Sequence, residues 1–167
     1  MAATLIPEDG TGIANANTYI TLAEYATYID ERGLTDSTTD EAKTGRIIQA
    51  KDWLEAEESR YQGEKKTNAQ ALVWPRYNVC IYGYAVDSST IPQQLKDAQA
   101  QLVYDSASTD IYNVNNGQAI VKEKVDVIEV QYSDNGVTNL QPIFAKVQAM
   151  LDPLYKTVGG LGSVIRV

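Results

Sequence analysis

Histidine is absent from this sequence, and cysteine occurs only once. Without histidine there is no His-based catalytic triad and none of the usual zinc sites, and the most common acid–base residue near neutral pH is missing. The single cysteine, Cys80, excludes an internal disulfide, and its apolar neighbours predict a small apolar thiol rather than a nucleophile. We therefore expect a protein that is not an enzyme and has no metal or cofactor.

Long apolar runs and an excess of positive charge are also missing. The apolar stretches are far shorter than the roughly 20 residues of a membrane-spanning helix, so no membrane anchor or export signal is predicted. The 22 acidic residues outnumber the 14 basic ones, which gives a formal net charge of −8. Such a chain repels phosphate, and this disfavours ordinary nucleic-acid binding.

The sequence does contain enough apolar material for one ordered domain. Hydrophobic residues make up 44% of the 167 residues, which is ordinary globular usage, and one core commonly serves a chain of this length. We predict a single domain over 1–167, with an extended arm over 1–18, a helical core over 19–155 and a C-terminal tail over 156–167. The arm is predicted because the opening segment is rich in Gly, Asn, Thr and Ala and has no periodicity.

Capping signals and apolar stripes predict two helices in the first half of the chain. Thr21 and Glu24 have the spacing of a capping box, and Gly33 lies where a left-handed cap would end a helix of about residues 22 to 32. A second capping box begins at Thr38. It precedes the longest helix, whose apolar stripe consists of Ile47, Ala50, Leu54 and Tyr61.

Two more helices are predicted further along the chain. A capping box at Thr90 and Gln93 opens the third helix, which runs to about Ser106. The last helix follows Thr138 or Asn139 and ends near Leu154.

A β-branched run between these two helices predicts a β-hairpin near 119–132. Its apolar positions change from odd to even numbers just after Asp126, which favours two strands joined by a turn over one strand with a bulge. Together these elements predict a mainly α fold. We expect a four-helix bundle-like domain with a small β-hairpin and extended N- and C-terminal arms.

The segment from Gln62 to Ser89 has no helical period and is predicted to be a long ordered loop. Loops of this length in a small domain are usually functional or disordered, and the many apolar and aromatic residues argue against disorder. We expect the loop, including its tyrosines, to pack against the helices.

Candidate chemistry within this central region is weak. Glu55, Glu57 and Glu58 are neighbouring carboxylates, but an exposed set on one helix does not meet the fixed cleft geometry of a glycosidase. A binding site for single-stranded DNA can also be hypothesised from basic and aromatic residues of this region. A Trp before a proline, however, more often fills a core. That site would consist of Lys65, Lys66, Trp74, Arg76 and Tyr77.

Several short motifs resemble those of phage head–tail connector proteins, some of which are labelled DnaT-like single-stranded-DNA-binding domains. The most specific is Trp74-Pro75-Arg76, which we regard as a structural motif of the family. The resemblance covers nearly the whole chain. It rests on Ala16-Asn17-Thr18-Tyr19, Ala50 to Leu54, Gln70 to Arg76, Ile91-Pro92, Val121 to Tyr132 and Leu151-Asp152-Pro153-Leu154.

The resemblance implies a structural virion protein that acts as a head–tail connector adaptor. Members of that family form a closed ring of about twelve subunits under the portal, and this ring extends the DNA channel and provides a docking site for tail components. The implied partners are the portal protein, further copies of the chain, a downstream neck or tail protein, and packaged double-stranded DNA passing through without sequence-specific binding. The implied location is the virion neck, assembled in the bacterial host cytoplasm. We expect the portal contacts at Val164, Ile165, Arg166 and Val167.

Two other function classes remain open. One is a single-stranded-DNA-binding replication module, which predicts a basic, aromatic groove and an affinity that falls steeply with salt. The other is an enzyme that uses its carboxylates, for which the sequence offers no motif.

Overall fold

Four α-helices account for most of the regular structure in the part of the chain that is described. The computed structural model describes residues 3–109, 111, 122–125, 128–131 and 144–156. Short 3-10 turns at Glu58–Arg60 and Asp152–Leu154 follow the second and fourth helices. The helices are α1 (Leu22–Asp30), α2 (Asp40–Ala56), α3 (Gln93–Asp105) and α4 (Ala145–Leu151).

Within the described residues, six short strands form three antiparallel pairs. The pair β5–β6 has the register Val125↔Ile128, at the place where the sequence predicts a hairpin. The other two pairs lie within the segment predicted as a loop. The strands are β1 (Glu64–Lys65) with β2 (Arg76–Tyr77), β3 (Cys80–Ile81) with β4 (Tyr84–Ala85), and β5 (Lys122–Val125) with β6 (Ile128–Gln131).

The helices do not form the predicted four-helix bundle. At about 1.5 Å per residue, α1 and α4 are roughly 14 and 11 Å long, whereas α2 is about 26 Å long. Helices α1 and α4 are therefore too short to run alongside α2 over its whole length. Instead α3 packs against each of the other three helices, and the segment between α2 and α3 adds buried side chains to the same core. The prediction of a mainly α, bundle-like fold was wrong, and the fold class is mixed.

Helix α1 begins as the sequence predicts. Glu24 N donates to Thr21 Oγ1 (3.0 Å) and Thr21 N donates to Glu24 Oε2 (2.6 Å), so the capping box is complete. The helix ends at Asp30, before Gly33, which has a φ of +61°. This left-handed conformation suits glycine, and Leu34 N donates to Ile29 O (3.0 Å) across the end of the helix.

The starts of α2 and α3 differ from the predictions. Thr39 rather than Thr38 caps α2, because its hydroxyl accepts a hydrogen bond from Ala42 N (3.3 Å). Helix α3 begins after Pro92 without a side-chain cap, while Thr90 N bonds to Asp87 O (3.0 Å) in the preceding turn. The apolar stripes are nevertheless buried as expected. They include Ile47, Ala50 and Leu54 on α2, and Leu95, Ala98 and Leu102 on α3.

The N-terminal segment is not an extended arm, and that prediction was also wrong. Glu8 N donates to Thr18 O (2.9 Å), so the segment folds back on itself. The Glu8 side chain is buried and accepts hydrogen bonds from Gly10 N (3.0 Å), Gly12 N (2.8 Å) and Ile13 N (2.8 Å). A buried carboxylate satisfied by three backbone donors holds this polar, glycine-rich stretch in one conformation.

A buried glutamine joins the N-terminal segment to two helices. Gln99 on α3 is fully buried, and its Oε1 accepts a hydrogen bond from Tyr19 N (3.0 Å). Its Nε2 donates to Thr18 Oγ1 (2.9 Å) and to Ile47 O (2.9 Å). Because each polar atom of this amide has a partner, the residue is tolerated in the core and fixes how the three segments meet.

Candidate nucleic-acid interface

Trp74 lies at the centre of the core and offers no surface to a ligand. Its side chain is 0% exposed, and the Trp74–Pro75 peptide bond is cis. The Tyr61 ring meets the indole edge-to-face with 5.7 Å between ring centroids, and the Tyr155 ring packs on Tyr61 with 5.4 Å between their centroids. The indole therefore packs like any core aromatic residue.

Arg76 is also committed to the fold. Its guanidinium donates to Gln62 O (2.7 Å), to Gly63 O (2.7 Å) and, at 3.4 Å, to Val73 O. Burial lowers the pKa of Arg76, and the described residues show no ion pair to it. The guanidinium is therefore engaged by backbone carbonyls of the fold and not presented to a ligand.

A hydrogen-bond network joins α2 to the chain just before Pro75. The Tyr19 hydroxyl donates to Glu55 Oε1 and accepts a hydrogen bond from Trp74 N (3.2 Å). Glu55 Oε2 accepts from Val73 N (2.8 Å). Burial raises the pKa of Glu55 above its ordinary value, although these hydrogen bonds favour the charged carboxylate. The network fixes the backbone at Val73 and Trp74.

The single-strand site drawn from Lys65, Lys66, Trp74, Arg76 and Tyr77 is not assembled. Lys66 Nζ donates to Gly10 O (3.0 Å) and to Ser89 Oγ (2.8 Å), so its charge is used to hold two loops together. Lys65 is half-buried on β1, and only Tyr77, with 45% of its surface exposed, is open to solvent. Trp74, Arg76 and Lys66 are therefore unavailable to a ligand, and only Lys65 and Tyr77 of the five remain.

The exposed aromatic residues lie on the neighbouring hairpin instead. Tyr82 and Tyr84 are each 79% exposed, which contradicts the expectation that the tyrosines pack against the helices. They stand at the β3–β4 turn, where Tyr82 and Gly83 have φ values of +52° and +88°. We call Tyr77, Tyr82 and Tyr84 the tyrosine surface. Among the described residues, none of the ring contacts involves these three.

Sequence reasoning missed this surface, although a signal for it is present. Gly83 follows Tyr82 between two short apolar pairs, the pattern of a two-residue hairpin turn in which both central residues have positive φ. Asn or Asp usually occupies the position that Tyr82 holds, so the pattern was weak. A tight turn that projects from the surface carries its side chains into solvent whatever their hydrophobicity.

The match to a family model covers almost the entire chain. The family is described as "Putative DnaT-like ssDNA binding protein", and residues 3–167 are matched. This chain belongs to that family. Comparison with curated proteins and with solved structures gives no significant match.

In this DnaT-like family member, two of the three carboxylates considered for catalysis, Glu55 and Glu57, are bonded to side chains or backbone of the fold. Glu55 is held by Tyr19 and Val73, whereas Glu57 pairs with Arg60 and accepts from Tyr155 Oη (3.1 Å). Within the described ranges, no cluster of three acidic or cysteine side chains could hold a metal ion. No helix in those ranges is long and apolar enough to cross a membrane.

Two further predictions concern the setting of Cys80 and the portal contacts. Cys80 is exposed on β3, although its apolar neighbours favoured an apolar setting. The predicted portal contacts at Val164, Ile165, Arg166 and Val167 lie outside the described residues.

Proposed function

We propose that this protein binds single-stranded DNA through the tyrosine surface. The observation that carries the proposal is the exposure of Tyr82 and Tyr84 on a projecting hairpin. Leaving two large rings in water forgoes the stabilisation that their burial would contribute to folding. Rings in this position are available to a ligand, and the description of the family names single-stranded DNA.

Unpaired bases suit such a surface because each has a free aromatic face. Stacking on a protein aromatic side chain contributes about 1–3 kcal/mol per base and tolerates any sequence. In a duplex these faces are already stacked on each other. The proposal therefore predicts a preference for single strands over duplex DNA of the same sequence.

Fluorescence anisotropy with a labelled oligonucleotide tests the proposal directly. The purified protein is titrated into a single strand and, separately, into the matching duplex. Saturable binding to the single strand with much weaker duplex binding is expected. Equal binding to both forms, or binding to neither, would contradict the proposal.

A second measurement locates the site on the protein. Cys80 is the only cysteine of the chain and is exposed on the same hairpin, so it takes a fluorescent thiol label without any substitution. Single-stranded DNA that stacks on Tyr82 or Tyr84 should change the emission of this label. An unchanged emission at saturating oligonucleotide would place the site elsewhere.

A second candidate is the head–tail adaptor of a phage neck, and the net charge of −8 favours it. A ring of about twelve such subunits would carry on the order of a hundred excess negative charges, which discourages duplex DNA from adhering as it passes. The motifs shared with head–tail connector proteins support the same function. Under this proposal the protein is a non-enzymatic virion component, and its partners are the portal, further copies of itself and a downstream neck or tail protein.

Mixing the protein with purified portal rings separates the two candidates. A stoichiometric ring on the portal, measured by native mass and by imaging of its symmetry, is expected for the adaptor. Truncation before Val164 should abolish that complex if the last four residues make the portal contacts. Absence of a portal complex together with oligonucleotide binding would support single-strand binding alone.

A further inference from the structure

We infer that the tyrosine surface recognises the faces of unpaired bases and makes almost no use of the phosphate backbone. The inference rests on the proposed single-strand binding and names the part of the ligand that is bound. Most single-strand sites combine a basic groove with aromatic platforms. Here the aromatic side chains are exposed, while Lys66 and Arg76 are already engaged within the protein.

Two of the three cations of the adjoining β1–β2 hairpin are held by the protein itself. The Arg76 guanidinium lies on β2 next to Tyr77, but it is buried and donates to backbone carbonyls. Lys66 Nζ donates to Gly10 O and Ser89 Oγ. Lys65, on β1, is partly buried and forms no ion pair with a described residue. It is therefore the one cation of these two strands that a phosphate could still meet, and Lys65→Ala tests it.

Acidic groups adjoin the same surface. Glu64 is the cross-strand partner of Tyr77, and Asp87 lies in the turn after β4, where its Oδ1 accepts from Ser89 N (2.6 Å). Arg60 is the cation of the turn before β1, and it is paired with Glu57. Glu64 and Asp87 outnumber the one unpaired lysine, Lys65, so the local charge disfavours a phosphate chain and we expect the affinity to come mainly from uncharged contacts.

The hairpin that carries Tyr82 and Tyr84 is anchored at its base. Val79 is buried and accepts a hydrogen bond from Val86 N (2.9 Å), which continues the pairing of the two strands, and Cys80 N donates to the Gln62 side chain (3.2 Å). Ile81, the cross-strand partner of Tyr84, packs partly against the core. A surface that is fixed before binding loses little conformational entropy when a base stacks on it.

The salt dependence of binding distinguishes base faces from phosphates. For single strands, the slope of log K against log salt is about −0.7 per neutralised phosphate, so three phosphate contacts would weaken binding roughly 18-fold between about 50 and 200 mM salt. One contact or none would change it by less than about threefold. We expect the smaller change.

The probe is a labelled single strand of about twelve nucleotides, a length that single-strand-binding folds can cover. An abasic strand of the same length carries the phosphates without the bases and serves as the matched ligand control. The full-length protein should bind the normal strand and lose at least about fivefold in affinity for the abasic strand, which corresponds to about 1 kcal/mol of stacking.

Variants separate the rings from the charges. Tyr82→Asn keeps a residue that tolerates positive φ, and Tyr84→Thr keeps a residue that suits a strand. Each should weaken binding at least about fivefold, while Tyr82→Phe and Tyr84→Phe should bind as the parent does. Lys65→Ala is the charge control and should leave the affinity within about twofold, because no phosphate is neutralised there.

Each outcome decides between defined alternatives. Weak salt dependence with loss of binding in the Tyr82→Asn and Tyr84→Thr variants supports base recognition. Steep salt dependence, retained binding to the abasic strand and loss in Lys65→Ala would overturn it, although single-strand binding itself would stand. No binding to any strand would overturn both. Urea unfolding of each variant confirms that it is folded.

Discussion

Two aromatic stretches lie less than ten residues apart in this chain, and one is buried while the other is exposed. Trp74 is fully buried against the Tyr61 ring, whereas Tyr82 and Tyr84 are largely exposed. Hydrophobicity does not separate them, because all three side chains would gain free energy from burial. The difference lies in what holds the backbone beneath each one.

Around Trp74 the backbone is held from several directions. Glu55 accepts from Val73 N, Tyr19 accepts from Trp74 N, and the Gln70 side chain donates to Leu72 O (2.8 Å). Tyr82 instead occupies a two-residue turn fixed mainly by its own short strands. The comparison shows that side chains buried in α2 and at the start of the fold decide which aromatic residues can enter the core.

Removing the indole should have the largest effect on this arrangement. Trp74→Ala leaves a cavity in a fully buried site, so we expect a loss of about 3–5 kcal/mol in the free energy of unfolding. Urea denaturation followed by tyrosine fluorescence and circular dichroism measures it. Trp74→Phe is the matched control, because the indole N–H has no partner among the described residues and only volume is lost. Equal losses in both variants would contradict this explanation.

Arg76 should have the next largest effect, and on stability rather than on ligand binding. Arg76→Met keeps an apolar stem but removes the donors to Gln62 O and Gly63 O, so we expect a loss of about 1–3 kcal/mol. Hydrogen exchange should quicken at the Lys66 amide, which bonds to Pro75 O across β1–β2. Unchanged stability combined with weakened oligonucleotide binding would mean that Arg76 contacts the ligand.

The sequence predicted local features of the fold better than contacts between distant residues. The Thr21–Glu24 box and the stripe through Ile47, Ala50 and Leu54 were read correctly because each depends on residues within two turns. The same stripe included Tyr61, which is buried but lies beyond the end of α2, after a 3-10 turn. The sequence therefore predicted that Tyr61 is buried, but it wrongly placed Tyr61 in helix α2.

The errors arose where distant or unusual partners decide the conformation. The opening segment has the composition of a flexible arm, but the buried Glu8 carboxylate organises three backbone donors around itself. The tyrosine surface was missed because Tyr82 adopts a positive φ that tyrosine seldom takes. Neither arrangement leaves a periodic pattern in the sequence.

The pH dependence of stability should reveal how the buried region is held. Because burial raises the pKa of Glu55, the folded state keeps that proton to a higher pH than the unfolded chain does. This contribution stabilises the fold below the ordinary glutamic acid pKa and is lost as the pH rises through the raised value. Glu55→Gln removes the titrating group, so its unfolding free energy should fall less over that window than the parent's does.

Asp36 provides an internal reference for this measurement. Despite its burial, hydrogen bonds from Thr38 and Tyr25 hold the pKa of Asp36 well below its usual range. Its contribution is therefore present above the ordinary aspartic acid pKa and is lost only at lower pH. Urea unfolding from about pH 4 to pH 7 samples mainly the Glu55 window. An identical slope in the parent and in Glu55→Gln would show that Glu55 does not titrate there.

The smallest effects are expected in the exposed turn, and there two neighbouring substitutions should act in opposite directions. Tyr82→Asn places a residue that tolerates positive φ at +52° and should raise the unfolding free energy by less than about 1 kcal/mol. Gly83→Ala meets no atom within 4 Å but forces a Cβ onto a φ of +88°, so it should lower the unfolding free energy by about 1–2 kcal/mol. Differential scanning calorimetry resolves both signs. A loss of stability in Tyr82→Asn comparable to that of Trp74→Ala would mean that the Tyr82 ring is packed, and the contrast between the two aromatic stretches would then fail.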